Sequence, residues 1–219
     1  MKKQLIVGIV ITILIAALVL SYQLLNKDKM FTVMEVPKFE LTNQNNQTIS
    51  ENDMLGKVYV VEFFFANCPT ICPVMNQNLK AIEKEINHPD FGIISITIDP
   101  KRDTPENLKI HSGQLGITNP NWHFLSGDRG YIYDLSKKFN IYVGEDETTA
   151  EGLNHSGKFA LVDKKGNIRS RFDERGMPIL YYSGLNYSDA RGKTESLGGT
   201  FHPQVEWIKE DIKKLLKEN

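Results

Sequence analysis

The sequence predicts a mixed α/β layer fold that follows an N-terminal membrane-spanning helix. Three features support this prediction: an apolar run over residues 5–22, two strand patterns at residues 58–65 and 91–98 that each lead into a helical pattern, and a hairpin pattern at residues 158–172. Strands that alternate with helices are typical of a sheet covered by helices. The antiparallel hairpin makes the expected sheet mixed rather than purely parallel.

Composition limits the function classes. The 219 residues include 41% hydrophobic and 10% aromatic residues, enough for a real core and inconsistent with a disordered or collagenous chain. The formal net charge is −1, with 26 Lys and Arg against 27 Asp and Glu, and no run of five basic residues occurs. Nucleic acid is therefore not an expected partner.

The N-terminal run has the length of a transmembrane helix. Lys2 and Lys3 precede it, and its end lacks the small residues of a cleavage site, so residues 1–25 are predicted to remain as a membrane anchor, with cleavage as the alternative. The basic N-terminus places the rest of the chain in the periplasm or another extracytoplasmic space. Residues 26–35 are predicted to be a linker, and residues 36–219 a single domain.

The first half of that domain follows a strand–helix–strand–helix order. Residues 58–65 are β-branched and aromatic with almost no polar break, which indicates a central strand buried on both faces. Residues 74–86 have helical apolar spacing, and residues 91–98 form a second buried strand that Asp99-Pro100 closes. Thr104-Pro105-Glu106 combines a cap with a proline in the first turn of another helix.

The second half is predicted with shorter elements. These are a strand at 124–125, a helix at 131–139, a hairpin of strands 158–162 and 168–172, and an amphipathic final helix at 205–216.

The two cysteines are the first functional signal. Cys68 and Cys72, in C-P-T-I-C-P, fall where the first buried strand gives way to a helix, the edge of an α/β sheet where sites usually form. A four-residue step in a helix puts both sulfurs on one face, and a helix start favours thiolates. The alternative is a pair of buried apolar cysteines. Two thiolates could close a disulfide, or hold a metal ion if a third ligand completes the site.

Five histidines could supply that third ligand. His155 is preferred, because it precedes the strand at 158–162, and an antiparallel pairing with the central strand would bring it to the cysteines. Its alternative role is that of a turn histidine, and His202 is the second choice. His88 and His111 are expected on the solvated surface, and His123 is expected to pack with one satisfied nitrogen.

Three stretches together resemble the SCO/SenC family of copper-binding assembly factors: F-F-F-A-N-C-P-T-I-C-P-V-M at residues 63–75, T-I-D-P-K-R-D-T-P-E at 97–106, and N-H-S-G at 154–157. The resemblance implies a thioredoxin-like fold, copper ligation by Cys68, Cys72 and His155, and a role in maturing the dinuclear copper centre of cytochrome c oxidase. Asp99 matches an acidic position of the family near the site. The alternative, which is preferred here, is that Asp99 is a turn residue that ends a strand.

One feature departs from the family pattern. Residues 173–202 insert about thirty Gly-, Tyr- and Ser-rich residues between the hairpin and the last helix. That length is unusual for a connection in a compact domain, and a partner-facing loop or a plain excursion would both fit. The insertion leaves the three motifs intact.

The function predicted is that of a membrane-tethered copper chaperone rather than an enzyme, handling Cu(I), Cu(II) or both. Its expected partners are the copper-bearing subunit of cytochrome c oxidase and a thiol reductant protein, since both thiols must be reduced to bind metal. The alternative is a thiol–disulfide oxidoreductase, although such enzymes use C-x-x-C. A thiol peroxidase and a disulfide-braced binding module are weaker alternatives. Thiol peroxidases carry a threonine or serine three residues before the reactive cysteine, and in this sequence that residue is Phe65 for Cys68 and Pro69 for Cys72.

Overall fold

The computed structural model describes residues 4, 8, 11–18, 21, 29–145, 152–173, 176–185 and 204–218. Most of the predicted anchor therefore lies outside the described residues. Residues 11–18 are helical and exposed. Among the described residues, no helix is both long enough and apolar enough to cross a bilayer.

The described residues form a mixed α/β fold, as the sequence predicts. The strands are β1 (Met30–Glu35), β2 (Glu40–Asn43), β3 (Thr48–Ser50), β4 (Val58–Phe64), β5 (Phe91–Thr97), β6 (Trp122–Ser126), β7 (Val143–Glu145), β8 (Leu153–His155), β9 (Lys158–Val162), β10 (Asn167–Arg171) and β11 (Tyr182–Ser183). The helices are α1 (Cys72–Ile86), α2 (Pro105–Leu115), α3 (Arg129–Lys138) and α4 (Gln204–Lys217), and a 3-10 turn covers Glu51–Met54.

Strands β4 and β5 form the centre of the main sheet, whose order is β1-β10-β9-β4-β5-β6-β2-β3, with β11 paired to β9. Strand β4 runs parallel to β5 and antiparallel to β9, and β5 runs parallel to β6. All seven residues of β4 and of β5 are buried, which explains their near-continuous apolar sequences. The same topology places the carboxyl end of β4 beside the start of β9.

One polar group interrupts the central strand. Glu62 is fully buried, Ser95 Oγ donates a 2.7 Å hydrogen bond to its Oε1, and Trp122 Nε1 donates to Ser95 Oγ at 3.1 Å. The second carboxyl oxygen, Oε2, is buried without a hydrogen-bond partner. Burial raises the pKa of Glu62 to about 7, so this carboxyl is largely protonated below neutrality.

The last helix closes one face of the fold. Helix α4 packs against α1, β4 and β11. The buried carboxylate of Asp211 lies 3.4 Å from Arg171 on β10 and accepts a 2.8 Å hydrogen bond from Tyr182 Oη. These contacts tie α4 to β10 and β11.

The short strands are where the structure departs from the sequence prediction. Residues Met30–Glu35, assigned to a linker, form strand β1, which pairs with β10. The β2–β3 hairpin and the β7–β8 hairpin also had no clear sequence pattern. Strands of three to six residues with mixed polarity at sheet edges carry too little periodicity to be recognised.

The predicted insertion at residues 173–202 is described only in part. Within it, Tyr182–Ser183 form β11 and pair antiparallel with β9, and Tyr182 is fully buried. Residues 174–175 and 186–202 lie outside the described residues. The described part of this segment therefore contributes to the main sheet.

Candidate metal centre

The two cysteines lie in the turn between β4 and α1. The Cys68 amide donates to the carbonyl of Phe65 at 3.2 Å, which closes the turn, and α1 begins at Cys72 with Pro73 in its first turn. The prediction that both sulfurs lie on one face of a helix is thus wrong in detail, because Cys68 precedes the helix. The sulfurs still face each other across the helix start, where the Cys72 amide approaches Cys68 Sγ at 3.5 Å.

The third side chain arrives from the other half of the sheet, as predicted. Strand β9 is antiparallel to β4, so His155, on β8 immediately before β9, lies beside the end of β4. Its ring is 5% exposed and meets the Phe65 ring edge-on at a centroid distance of 5.9 Å. His155 Nε2 lies 3.0 Å from Cys72 Sγ.

Cys68, Cys72 and His155 form a compact cluster of potential metal ligands. Their two sulfurs and one ring nitrogen all lie within 4.8 Å of one another, and all three residues are buried. Neither cysteine is in a disulfide. Within the described part of the chain, no other group of three or more His, Cys, Asp or Glu side chains meets in this way.

The two sulfurs have opposite protonation preferences. Hydrogen bonds, first from Cys72 and also from His155, lower the pKa of Cys68 to about 3 against the opposing effect of burial. Burial, followed by the hydrogen bond to Cys68, raises the pKa of Cys72 far above its usual range. The metal-free reduced site therefore contains one thiolate at Cys68 and one thiol at Cys72.

The donor chemistry suits a soft metal ion. Two sulfurs favour Cu(I) and other thiophilic ions, and an imidazole nitrogen also suits Cu(II). The other ring nitrogen, His155 Nδ1, is buried and has no hydrogen-bond partner. The ring nitrogen that faces the sulfurs, and that could bind the metal, is Nε2.

Among the histidines that the structure describes, His88, His111 and His123 are not part of this cluster. His88 is exposed, as predicted, and His202 lies outside the described residues. His123 is half-buried with Nδ1 3.4 Å from Asn43 Nδ2, which agrees with a packed side chain. His111 differs from the prediction of a solvated residue, because its ring packs against Phe64 and its Nε2 is buried without a partner. Burial lowers the pKa of His111.

In the acidic motif after β5, the residue that contacts the cysteine turn is Asp103 and not Asp99. Asp99 pairs with Arg102 at 3.3 Å, and its carbonyl accepts the amides of Arg102 and Asp103, so Asp99 is a turn residue. Asp103, which sequence reasoning missed, reaches the cysteine turn and accepts a hydrogen bond from the Ala66 amide at 3.0 Å. Its place in D-P-K-R-D-T-P-E, after the strand parallel to β4, was the signal available in the sequence.

A family model and a curated relative match most of this domain. The family model described as SCO1/SenC matches residues 27–186. The SCO1 protein homolog of Bacillus subtilis is 31% identical over 138 residues, covering 61% of this chain and 71% of that protein. The aligned stretch therefore covers more than two thirds of the relative.

Solved structures share the fold. A SCO1/SenC family lipoprotein from Bacillus anthracis superposes with a TM-score of 0.67 at 28% identity, covering 87% of this chain and 99% of that one. BsSco, described as a Sco family cytochrome c oxidase assembly protein with a disulfide switch, gives a TM-score of 0.66 at 24% identity and covers 89% and 99% of the two chains. Yeast Sco1 with copper bound gives 0.57 at 23% identity and covers 84% and 92%. The thioredoxin-like fold implied by the sequence motifs is thereby confirmed.

Proposed function

The chain belongs to the SCO1/SenC family, and from this membership and the buried Cys68–Cys72–His155 cluster we propose that it is a copper chaperone. The observation that carries the proposal is the convergence of two sulfurs and one imidazole nitrogen within 4.8 Å at a helix start. Copper is the cargo that this donor set would hold and release. The copper-bound yeast Sco1 structure supports copper as the metal for this fold.

Each of the three side chains would contribute differently to copper binding. Cys68 offers a thiolate near neutral pH, so it can meet the ion first without losing a proton. Cys72 must give up its proton on binding, which makes loading release a proton and links affinity to pH. His155 adds a nitrogen ligand that favours Cu(II) more than Cu(I). The site would thus accept both oxidation states through the same three side chains.

We propose the copper-bearing subunit of cytochrome c oxidase as the recipient. The description of BsSco as a cytochrome c oxidase assembly protein supports this role. The predicted anchor at residues 1–25 would hold the domain at the extracytoplasmic membrane surface. A thiol reductant protein is the second proposed partner, because a closed Cys68–Cys72 disulfide leaves no thiolate for metal.

Transfer of copper tests this function directly. The reduced full-length chain, loaded with one Cu(I), is mixed with the soluble copper-binding domain of the oxidase subunit, and native mass spectrometry follows the metal on each partner. We expect copper to move to the oxidase domain and to leave Cys68 and Cys72 as free thiols. Copper that stays on the chain at every ratio of the two proteins would contradict the chaperone role.

A thiol–disulfide exchange activity is the second candidate, favoured by the unequal pKa values of the two sulfurs. A low-pKa Cys68 thiolate could attack a substrate disulfide, forming a mixed disulfide as one substrate sulfur leaves as a thiolate. Cys72 would then attack Cys68 Sγ, closing the Cys68–Cys72 disulfide and releasing the second substrate thiolate. The substrate gains two electrons and the pair loses two. This activity needs the two sulfurs but no imidazole ligand.

A further inference from the structure

A buried carboxylate outside the ligand set connects the motif after β5 to the cysteine turn. Asp103 is 2% exposed, and its Oδ2 accepts two hydrogen bonds, from Thr97 Oγ1 at 2.5 Å and from the Ala66 amide at 3.0 Å. Thr97 is the last residue of β5, which pairs in parallel with Phe64 at the end of β4. One carboxylate oxygen therefore joins the ends of two central strands.

The amide that Asp103 binds belongs to the segment that carries the site. Ala66 follows Phe65, whose ring meets His155 edge-on, and lies inside the turn that is closed by the hydrogen bond from the Cys68 amide to the Phe65 carbonyl. A displacement of Ala66 would therefore move both Cys68 and the aromatic ring against His155. An amide beyond the end of a strand has no ladder partner, so a side-chain acceptor is what holds it in place.

Burial of the Asp103 carboxylate is unfavourable for its charged form. Burial raises the pKa of Asp103 even though the hydrogen bonds from Thr97 and Ala66 act in the opposite direction. Asp99, four residues earlier, contributes a like charge to the same loop. A buried carboxylate that joins the end of β5 to an amide of the metal-site turn indicates a positioning role.

We propose that Asp103 is a positioning residue that holds the Ala66–Cys68 turn so that Cys68 faces Cys72 and His155 before any metal arrives. That this positioning serves copper binding rests on the proposed function, whereas the hydrogen bonds themselves belong to the metal-free protein. Preorganisation of this kind increases affinity by removing the cost of ordering the turn upon binding. The loss of one such hydrogen bond is expected to change an equilibrium or a rate by about tenfold.

The test uses the full-length reduced chain and three readouts. Amide hydrogen exchange at Ala66 reports the hydrogen bond itself. The rate at which a Cys68–glutathione mixed disulfide is closed by Cys72, with release of glutathione thiolate, reports the approach of the two sulfurs without metal. Cu(II) affinity, with the sulfur-to-copper absorption band, reports the ligand geometry.

Two variants and a matched control separate positioning from general stability. Asp103→Ala should accelerate Ala66 exchange, slow closure about tenfold and weaken Cu(II) binding about tenfold, while Asp103→Asn, which keeps an acceptor oxygen, should stay close to wild type. Asp163→Ala is the control, because Asp163 is 5% exposed and accepts backbone amides in a different turn, at Lys165 and Asn167. It should leave all three readouts unchanged.

The outcomes are distinguishable. Unchanged Ala66 exchange and closure in Asp103→Ala would overturn the proposal, as would equal effects in Asp163→Ala. If wild type binds no copper, the proposed function fails, but the exchange and closure readouts still decide the role of Asp103. If Asp103→Ala does not fold, Thr97→Val removes the other donor to the same oxygen. Faster Ala66 exchange and slower closure in that variant would support the proposal, and unchanged values would overturn it.

Discussion

Cys72 Sγ and His155 Nε2 lie 3.0 Å apart although 83 residues separate them in the chain. The contact joins the first turn of α1 to a short strand that precedes β9. It exists because β9 runs antiparallel to β4, so that the start of β9 meets the end of β4. The ligand cluster is therefore a consequence of sheet topology rather than of local sequence.

Removing either sulfur should abolish tight copper binding. Cys68→Ala and Cys72→Ala each leave a single thiolate, which cannot chelate, so affinity should fall by on the order of a hundredfold or more. Copper stoichiometry and competition with a chelator of known affinity measure the effect. Asn67→Ala, an exposed neighbour in the same turn, is the control and should still bind one ion. Stoichiometric tight binding in either cysteine variant would remove that sulfur from the site.

Removing the imidazole should distinguish a chaperone from a reductase. His155→Ala should keep both thiols titratable and the disulfide able to form, yet lose Cu(II) affinity at least about tenfold more than Cu(I) affinity, since Cu(II) depends more on nitrogen ligands. Affinities for both ions are measured beside the rate of reduction of a model disulfide. His111→Ala, at a histidine that packs against Phe64 and is not one of the clustered ligands, should change neither affinity.

Unchanged Cu(II) affinity in His155→Ala would exclude that residue as a ligand, and His202 would be tested next. A lost reduction rate with intact copper binding would instead favour the oxidoreductase. The two results cannot be confused, because one concerns metal affinity and the other electron transfer.

Glu62 should make the domain less stable as pH rises towards neutrality. Its pKa in the folded protein is about 7, raised from 4.5, so the folded state holds a proton that the unfolded state has already lost between these values. The free energy of unfolding should fall through this window by roughly 3 kcal/mol. Glu62→Gln, which mimics the protonated carboxyl, should flatten the dependence between pH 5 and pH 8, as measured by urea denaturation. Glu40→Gln, on the exposed side of β2, is the control. A slope unchanged from wild type in Glu62→Gln would refute this assignment.

The N-terminal segment should remain on the mature chain and hold it in the membrane. Residues 5–22 are apolar over nearly their full length, which suits a spanning helix. Intact mass spectrometry of the chain extracted from membranes should include residues 1–25, and deletion of those residues should release a domain that still binds copper. A mature chain that begins after residue 20 would show that the segment is cleaved.

Several elements could be predicted from the sequence because they carry long or chemically distinct signals. The strand that contains Val61 and the one that contains Ile94 are mostly apolar and are buried at all seven positions, and the Thr104-Pro105 start of α2 has its own cap chemistry. The cysteine pair was recognisable from number and spacing, since the chain has only two cysteines and both fall within five residues. Short strands such as β1 and β7 could not be found: β1 pairs with β10, which lies far away in the chain, and β7 has only three residues, too few to show a period.

The sequence alone determined the central strands, the helix that follows the cysteines and the residue types available to a soft metal. Only the tertiary structure decided that Cys68 sits before the helix rather than in it, that His155 is the one of the described histidines that meets the sulfurs, and that Asp103 rather than Asp99 reaches the cysteine turn. The physical reason is the range of the interactions. Periodicity, caps and composition act within about one element, whereas ligand positions depend on strand order and register, which are fixed by packing across the whole sheet.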